Sequence, residues 1–146
     1  MKNLRFLLAA FVLLVSSVVL ANGPDGENES AVKQTITNYI NGIDSRNPDA
    51  VEKTLYSGAT VLTVNSISNK TNQLSSNDVI SRVKNGSLGG WKREVSFGEV
   101  ELNDKTAMAK VEVSDSKLKQ TCFLTLVNDN GQWKIVSDVS IVSQNK

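Results

Sequence analysis

Everything after Gly90 falls into four stretches of alternating apolar and polar residues separated by turn signals, and this pattern constrains the fold more than any other feature of the chain. A period of two is that of a half-buried strand, and no helical period survives there. In the first stretch Val95 and Phe97 share one parity and Val100 and Leu102 the other, so a bulge at Gly98 is expected, with a bend in the sheet. Asn103-Asp104 turns the chain into Ala107, Ala109, Val111 and Val113. Asp115-Ser116 turns it again, into a run with Leu118, Cys122, Leu124 and Leu126 on one face and Phe123 and Val127 on the other. Asn130-Gly131 is a hairpin signal. The last run then places Trp133, Ile135, Val139 and Ile141 on one face and Asp138 on the opposite one.

The first half reads differently. Val32, Ile36, Tyr39, Ile40 and Ile43 have the spacing of one helical face, which predicts a helix from Glu29 capped by Asn28. Asn47-Pro48 announces a second, short helix with Val51 and Leu55 inward, ending near Ser57-Gly58. The β-branched run Thr60 to Asn65 reads as a strand, and the polar residues from Ser66 to Gln73 as a turn with at most a short return strand. Ser75 with Asp78 opens a third helix carrying Val79, Ile80 and Val83, which Asn85-Gly86 stops. The order is an α+β pattern: three helices packed on a strongly bent, mostly antiparallel sheet, with a concavity left between them.

Residues 1–21 are expected to be a signal peptide, because Lys2 and Arg5 precede the apolar run Phe6 to Leu20 and small residues end at Ala21. Residues 22–28 then form a Gly- and Pro-rich linker and 29–146 the domain, placing the protein outside the cytoplasm, secreted or periplasmic, with no stable membrane insertion after cleavage. The whole chain has 16 basic and 15 acidic residues; without Lys2 and Arg5 the basic residues number 14. That near balance gives no electrostatic case for nucleic acid. With no histidine in the chain, Ser-His and Cys-His nucleophilic pairs are excluded. The acids are scattered singly, so no metal site and no cofactor is expected, and the lone Cys122 reads as a small buried hydrophobe.

The stretch "NYINGIDSRNPDAVEKTLYSGATV", Asn38 to Val61, resembles the opening of the nuclear transport factor 2-like superfamily, a cone-shaped fold, and "NDNGQWKIVSDV", Asn128 to Val139, resembles its closing hairpin. With "AMAKVEV" at Ala107 to Val113, the chain is most similar to the lumazine-binding-like branch. The resemblance implies the fold more firmly than a function, since this scaffold hosts isomerases, dehydratases, cyclases and interaction modules. Tyr39 matches the first-helix tyrosine that helps form the oxyanion hole of the ketosteroid isomerase branch, but the catalytic base of that branch would fall at Thr63, which cannot take a proton from a carbon acid. Cyclase-like relatives carry Asp then His on the closing strand; here the pair is Asp138-Val139.

Four residues are therefore candidates for lining a ligand pocket, and none is assigned a catalytic role: Tyr39, Thr63, Trp91 and Asp138. Three of them have a plainer interpretation. Tyr39 can be a core aromatic with its hydroxyl satisfied locally, Trp91 a surface anchor rather than a lid, and Asp138 an exposed acid on the polar side of its strand. The basic residues Arg82, Lys84, Lys92 and Arg93 read as a solvated face. The functional expectation is a non-enzymatic module binding a small apolar molecule or a protein partner through the pocket or the sheet face, with a homodimer through the sheet as corollary. One alternative is an isomerase or dehydratase-like enzyme using Tyr39 and a carboxylate not placed by the sequence; the other is a structural dimerisation domain.

Overall fold

The computed structural model describes residues 24–145, so the expected signal peptide lies outside the described residues. The chain runs α1 (Pro24–Asp44), α2 (Pro48–Thr54), β1 (Leu55–Asn65), β2 (Lys70–Ser75), α3 (Ser76–Lys84), β3 (Glu94–Asn103), β4 (Thr106–Ser114), β5 (Leu118–Asp129) and β6 (Gln132–Gln144). One six-stranded sheet has the order β2-β1-β6-β5-β4-β3. Every neighbouring pair is antiparallel except β1 with β6, which is parallel. No helix among the described residues is long and apolar enough to cross a membrane.

Local chemistry explains most of the boundaries. The Asn47 side chain accepts from the Ala50 amide at 3.1 Å, with Pro48 at the first helical position, and this starts α2. Ser75 and Asp78 form a reciprocal capping box that starts α3. Asn130 and Gly131 both have positive φ, 52° and 85°, the requirement of the tight hairpin turn that joins β5 to β6. Two boundaries differ from expectation. Helix α1 begins at Pro24 rather than Glu29, so most of the stretch read as linker is helical and Asn28 lies inside the helix. Proline is well suited to a first helical turn, Glu27 and Glu29 favour the positive end of the dipole, and Gly26 weakens the helix without stopping it. Strand β1 begins at Leu55, directly after α2, because its early residues reach Ile135 of β6.

The core lies between the helices and one face of the sheet. Val32, Ile36 and Ile40 of α1 and Val79 and Val83 of α3 are buried, as are Val61, Val111, Val113, Leu124, Leu126 and Ile135 of the strands. The register of β3 on β4 shifts between Phe97 and Val100, the bulge expected at Gly98. It brings Val95, Phe97, Val100 and Leu102 together against the core.

A second shift overturns an expectation. Thr125 pairs with Ser137 and Leu126 with Ile135, leaving Val136 without a partner on β5. This bulge reverses the parity of β6 midway. Trp133 and Ile135 face the core as expected, but beyond Val136 the inward residues are Asp138 and Ser140, both buried, and Val139 and Ile141 are exposed. Leu118 is also exposed rather than in line with Cys122.

Candidate functional site

Between α1, α3 and the concave face of the sheet lies a cavity of about 380 Å³. Tyr39, Ile40 and Ile43 come from one face of α1, Val79 and Arg82 from α3, and Leu88, Trp91 and Arg93 from the segment that follows. The strands add Val61 and Thr63 from β1, Lys70 and Leu74 from β2, Val113 from β4, Cys122 from β5 and Asp138 from β6. All four sequence candidates, Tyr39, Thr63, Trp91 and Asp138, thus line one cavity. Burial orders them by depth: Tyr39, Cys122 and Asp138 are at most 3% exposed and form the floor, whereas Trp91, at 43%, stands at the mouth with the exposed Lys70 and Arg82. A wider depression beside Ser66, Lys119 and Asn145 is open to solvent and brings together none of the candidates.

The floor is a small polar cluster beneath a wall of mixed apolar and polar side chains. The Tyr39 hydroxyl donates to Asp138 Oδ2 at 3.3 Å, and the Ser140 hydroxyl donates to Asp138 Oδ1 at 2.5 Å. Cys122 pairs with Ser140 across β5 and β6. Burial raises the Asp138 carboxyl to about 6, against the opposing effects of the Ser140 and Tyr39 hydrogen bonds and the positive charge of Arg93. The same burial, with the Asp138 charge beside it, pushes the Tyr39 phenol well above its ordinary value. It also lifts the Cys122 thiol to about 12. Tyr39 and Cys122 are therefore neutral near pH 7 and Asp138 is the charged group of the floor, free to accept hydrogen bonds at its remaining lone pairs. The expectation that Asp138 is an ordinary exposed acid is incorrect: the Val136 bulge turns it inward.

The mouth is built on a clamp. Arg93 donates to both carboxylate oxygens of Asp44, at 2.6 to 3.1 Å, and to Gln120 Oε1 at 2.8 Å. Its guanidinium lies 4.6 Å from the centre of the Trp91 ring. The preceding loop is fastened to the end of α1: the Gly90 amide donates to Asp44 O at 2.9 Å, and Arg46 Nη2 donates to Gly89 O at 3.3 Å. Gly89 has φ of +98°, and a Cβ there would stand 1.9 Å from Ile43 O, so only glycine allows this approach. Trp91 is accordingly a braced wall residue. Of the basic residues expected to form a solvated face, Arg93 is instead an integral, half-buried member of the site.

Ser140, Arg82, Arg93 and Lys70 join the site without having been singled out for it in the sequence. Arg82, Arg93 and Lys70 carried no signal beyond their charge; Ser140 becomes legible only once the bulge is known, because it follows Asp138 by two residues.

The comparisons agree with this architecture. The family model described as "Putative lumazine-binding" matches residues 27–139. A nuclear transport factor 2-like protein of unknown function from Silicibacter pomeroyi superposes with a TM-score of 0.71 at 18% identity, covering 84% of this chain and 100% of that one. A second such protein, from Shewanella baltica, gives 0.68 at 18% identity, with 86% and 99% covered. A ketosteroid isomerase-like protein from Erwinia carotovora atroseptica gives 0.63 at 9% identity, with 82% and 98% covered. At these identities the structures establish the fold alone. No match was found among curated proteins.

Proposed function

The chain belongs to the lumazine-binding family of the nuclear transport factor 2-like superfamily, and from that premise we propose that it is a secreted or periplasmic binding domain that takes a small, largely apolar molecule into the cavity. The observation that carries this reading is the cavity of about 380 Å³, lined together by Tyr39, Thr63, Trp91 and Asp138. Apolar walls with a few convergent polar groups are the usual make-up of a small-molecule site. Location rests on the leader-like residues 1–21, and sequencing of the exported protein should find Asn22 first. A thermal-shift screen with lumazine- and flavin-like molecules, sterols and fatty acids tests the binding, followed by calorimetry of any hit on Trp91→Ala. Silence across the whole screen would overturn the proposal.

The outer face of the sheet supports a homodimer as corollary. Phe123 pairs with Val139 there, and with Met108 and Ile141 they form an exposed apolar surface. Sedimentation equilibrium at micromolar concentration should give twice the monomer mass, and Phe123→Lys should return it to the monomer.

A second reading is favoured by one contact. A buried carboxylate within 3.3 Å of a tyrosine hydroxyl, both on the wall of a cavity, is a donor and acceptor pair of the kind proton-transfer enzymes use. It supplies the carboxylate that an isomerase or dehydratase-like activity needs, from β6 rather than from Thr63. Exchange of solvent deuterium into a bound carbonyl compound, abolished in Asp138→Asn, would establish it. Tight binding without exchange would leave the binding domain.

A further inference from the structure

The cavity has a charge layout that narrows the class of ligand; this inference rests on the cavity being a binding site. Its exposed lining carries two cations, Lys70 and Arg82, neither of which forms a salt bridge among the described residues. The third cation, Arg93, is already held by Asp44. Among the described residues the only acid in the lining is Asp138, and it lies at the opposite end, on the floor. Both of its oxygens accept one hydrogen bond each, from Tyr39 and Ser140, and neither meets a cation within salt-bridge distance. A buried carboxylate in that state is short of donors. The rest of the wall carries no charge: Val61, Leu74, Val79 and Leu88 are apolar, Thr63, Asn72 and Gln120 add neutral polar groups, and the braced Trp91 ring at the mouth offers a flat surface.

We propose that the cavity takes an amphipathic anion with a planar apolar body, its acidic group held at the mouth by Lys70 and Arg82 and an N–H or O–H donor at its inner end delivered to Asp138. A cationic ligand is disfavoured because its charge would meet Lys70 and Arg82 on entry, and a purely apolar one offers the floor carboxylate no donor beyond Tyr39 and Ser140. Carboxylate, sulfonate and phosphate share the chemistry required at the mouth.

The test uses four probes of one skeleton on the purified protein: indole-3-acetate, its 1-methyl derivative, tryptamine and neutral indole. Dissociation constants come from titrations followed by amide chemical shifts, so that binding on the outer face at Phe123 and Val139 registers separately from binding at Tyr39 and Asp138. Indole-3-acetate should bind in the cavity at least tenfold more tightly than tryptamine. That ratio should fall below about threefold in Lys70→Gln/Arg82→Gln, whose two sites are exposed. The 1-methyl derivative, which lacks the donor, should bind about tenfold more weakly than its parent. Equal binding of all four probes in the cavity would overturn this proposal while leaving the binding site intact. Tighter binding of tryptamine, or an unchanged ratio in the double variant, would overturn it as well. Binding confined to the outer face, or none at all, would overturn both this proposal and the reading on which it rests.

Discussion

Replacing Asp138 by Asn keeps the shape of the floor and removes its charge. The amide oxygen still accepts from Tyr39 and the amide nitrogen can donate to Ser140, so the change isolates the cost of burying a carboxylate. Because burial raises the carboxyl from 3.8 to about 6, the fold favours its protonated form. Below pH 3.8 the acid is protonated in both folded and unfolded states and the charge costs nothing. As pH rises through 6 the folded protein must also ionise it, and the accumulated cost reaches about 3 kcal/mol. The groups facing Asp138 are Tyr39 from α1, Cys122 from β5, Ser140 on its own strand and Arg93 ahead of β3, and of these only Arg93 is charged across this range. Asp78, Glu112 and Asp115 have depressed carboxyls, held down chiefly by hydrogen bonds from Ser75, Lys119 and the Leu118 amide respectively. Their contributions have the opposite sign, present above the ordinary carboxylate range and lost as pH falls, so the stability of the parent alone will not show the effect. They are common to both proteins and cancel in the difference. For a domain of this size about 3 kcal/mol corresponds to roughly 12 °C. Thermal unfolding followed by circular dichroism should therefore find Asp138→Asn gaining about 12 °C on the parent between pH 4 and pH 7, with the midpoint of the gain between 4 and 6. A difference that stays flat over that range would refute the argument that Asp138 is a buried, titrating floor group.

Arg93→Gln leaves Asp44 partly buried without its partner and should cost about 3 kcal/mol in denaturant unfolding. Since Arg93 also holds the Asp138 carboxyl down, the same variant should move the midpoint of the Asp138 pH dependence upward. Gly89→Ala forces a Cβ against Ile43 O at positive φ and should cost about 2 kcal/mol or more, with a change in Trp91 fluorescence as the clamp shifts. Cys122, buried and with its thiol at about 12, should react with a disulfide reagent at pH 8 at least about 100-fold more slowly in the folded protein than in guanidinium.

The fold was legible wherever a local residue choice determines a local geometry. Asn47-Pro48, Ser75 with Asp78, and Asn130-Gly131 each act within four residues, and each produces the cap or turn expected of it. The parallel pairing of β1 with β6 was not legible, because it joins segments far apart in sequence and neither carries a mark that names its neighbour. The start of α1 was missed for a related reason: Gly and Pro punctuate chains, but a proline at the first turn of a helix favours it.

The two bulges show why the site was harder to read than the scaffold. At Gly98 the break in parity coincides with a glycine, and the apolar residues on either side of it demand the phase change. At Val136 the mark is fainter: Trp133, Ile135, Val139 and Ile141 share one parity with only Ser137 between them to interrupt the apolar series, and no glycine stands at the break. The structure breaks that regularity and spends the inward positions on Asp138 and Ser140, leaving Val139 at 37% exposure. Two consequences follow for function. A histidine at position 139, the residue a cyclase-like pattern would place there, would point away from the cavity, so its absence says nothing about chemistry inside. And without the bulge the same strand would turn Val139 and Ile141 inward, yet the chain holds a carboxylate on the floor whose burial opposes folding near neutral pH. The charge stands at the bottom of the cavity with two hydroxyls orienting it and lone pairs still open, the arrangement that the donor of the proposed ligand would meet.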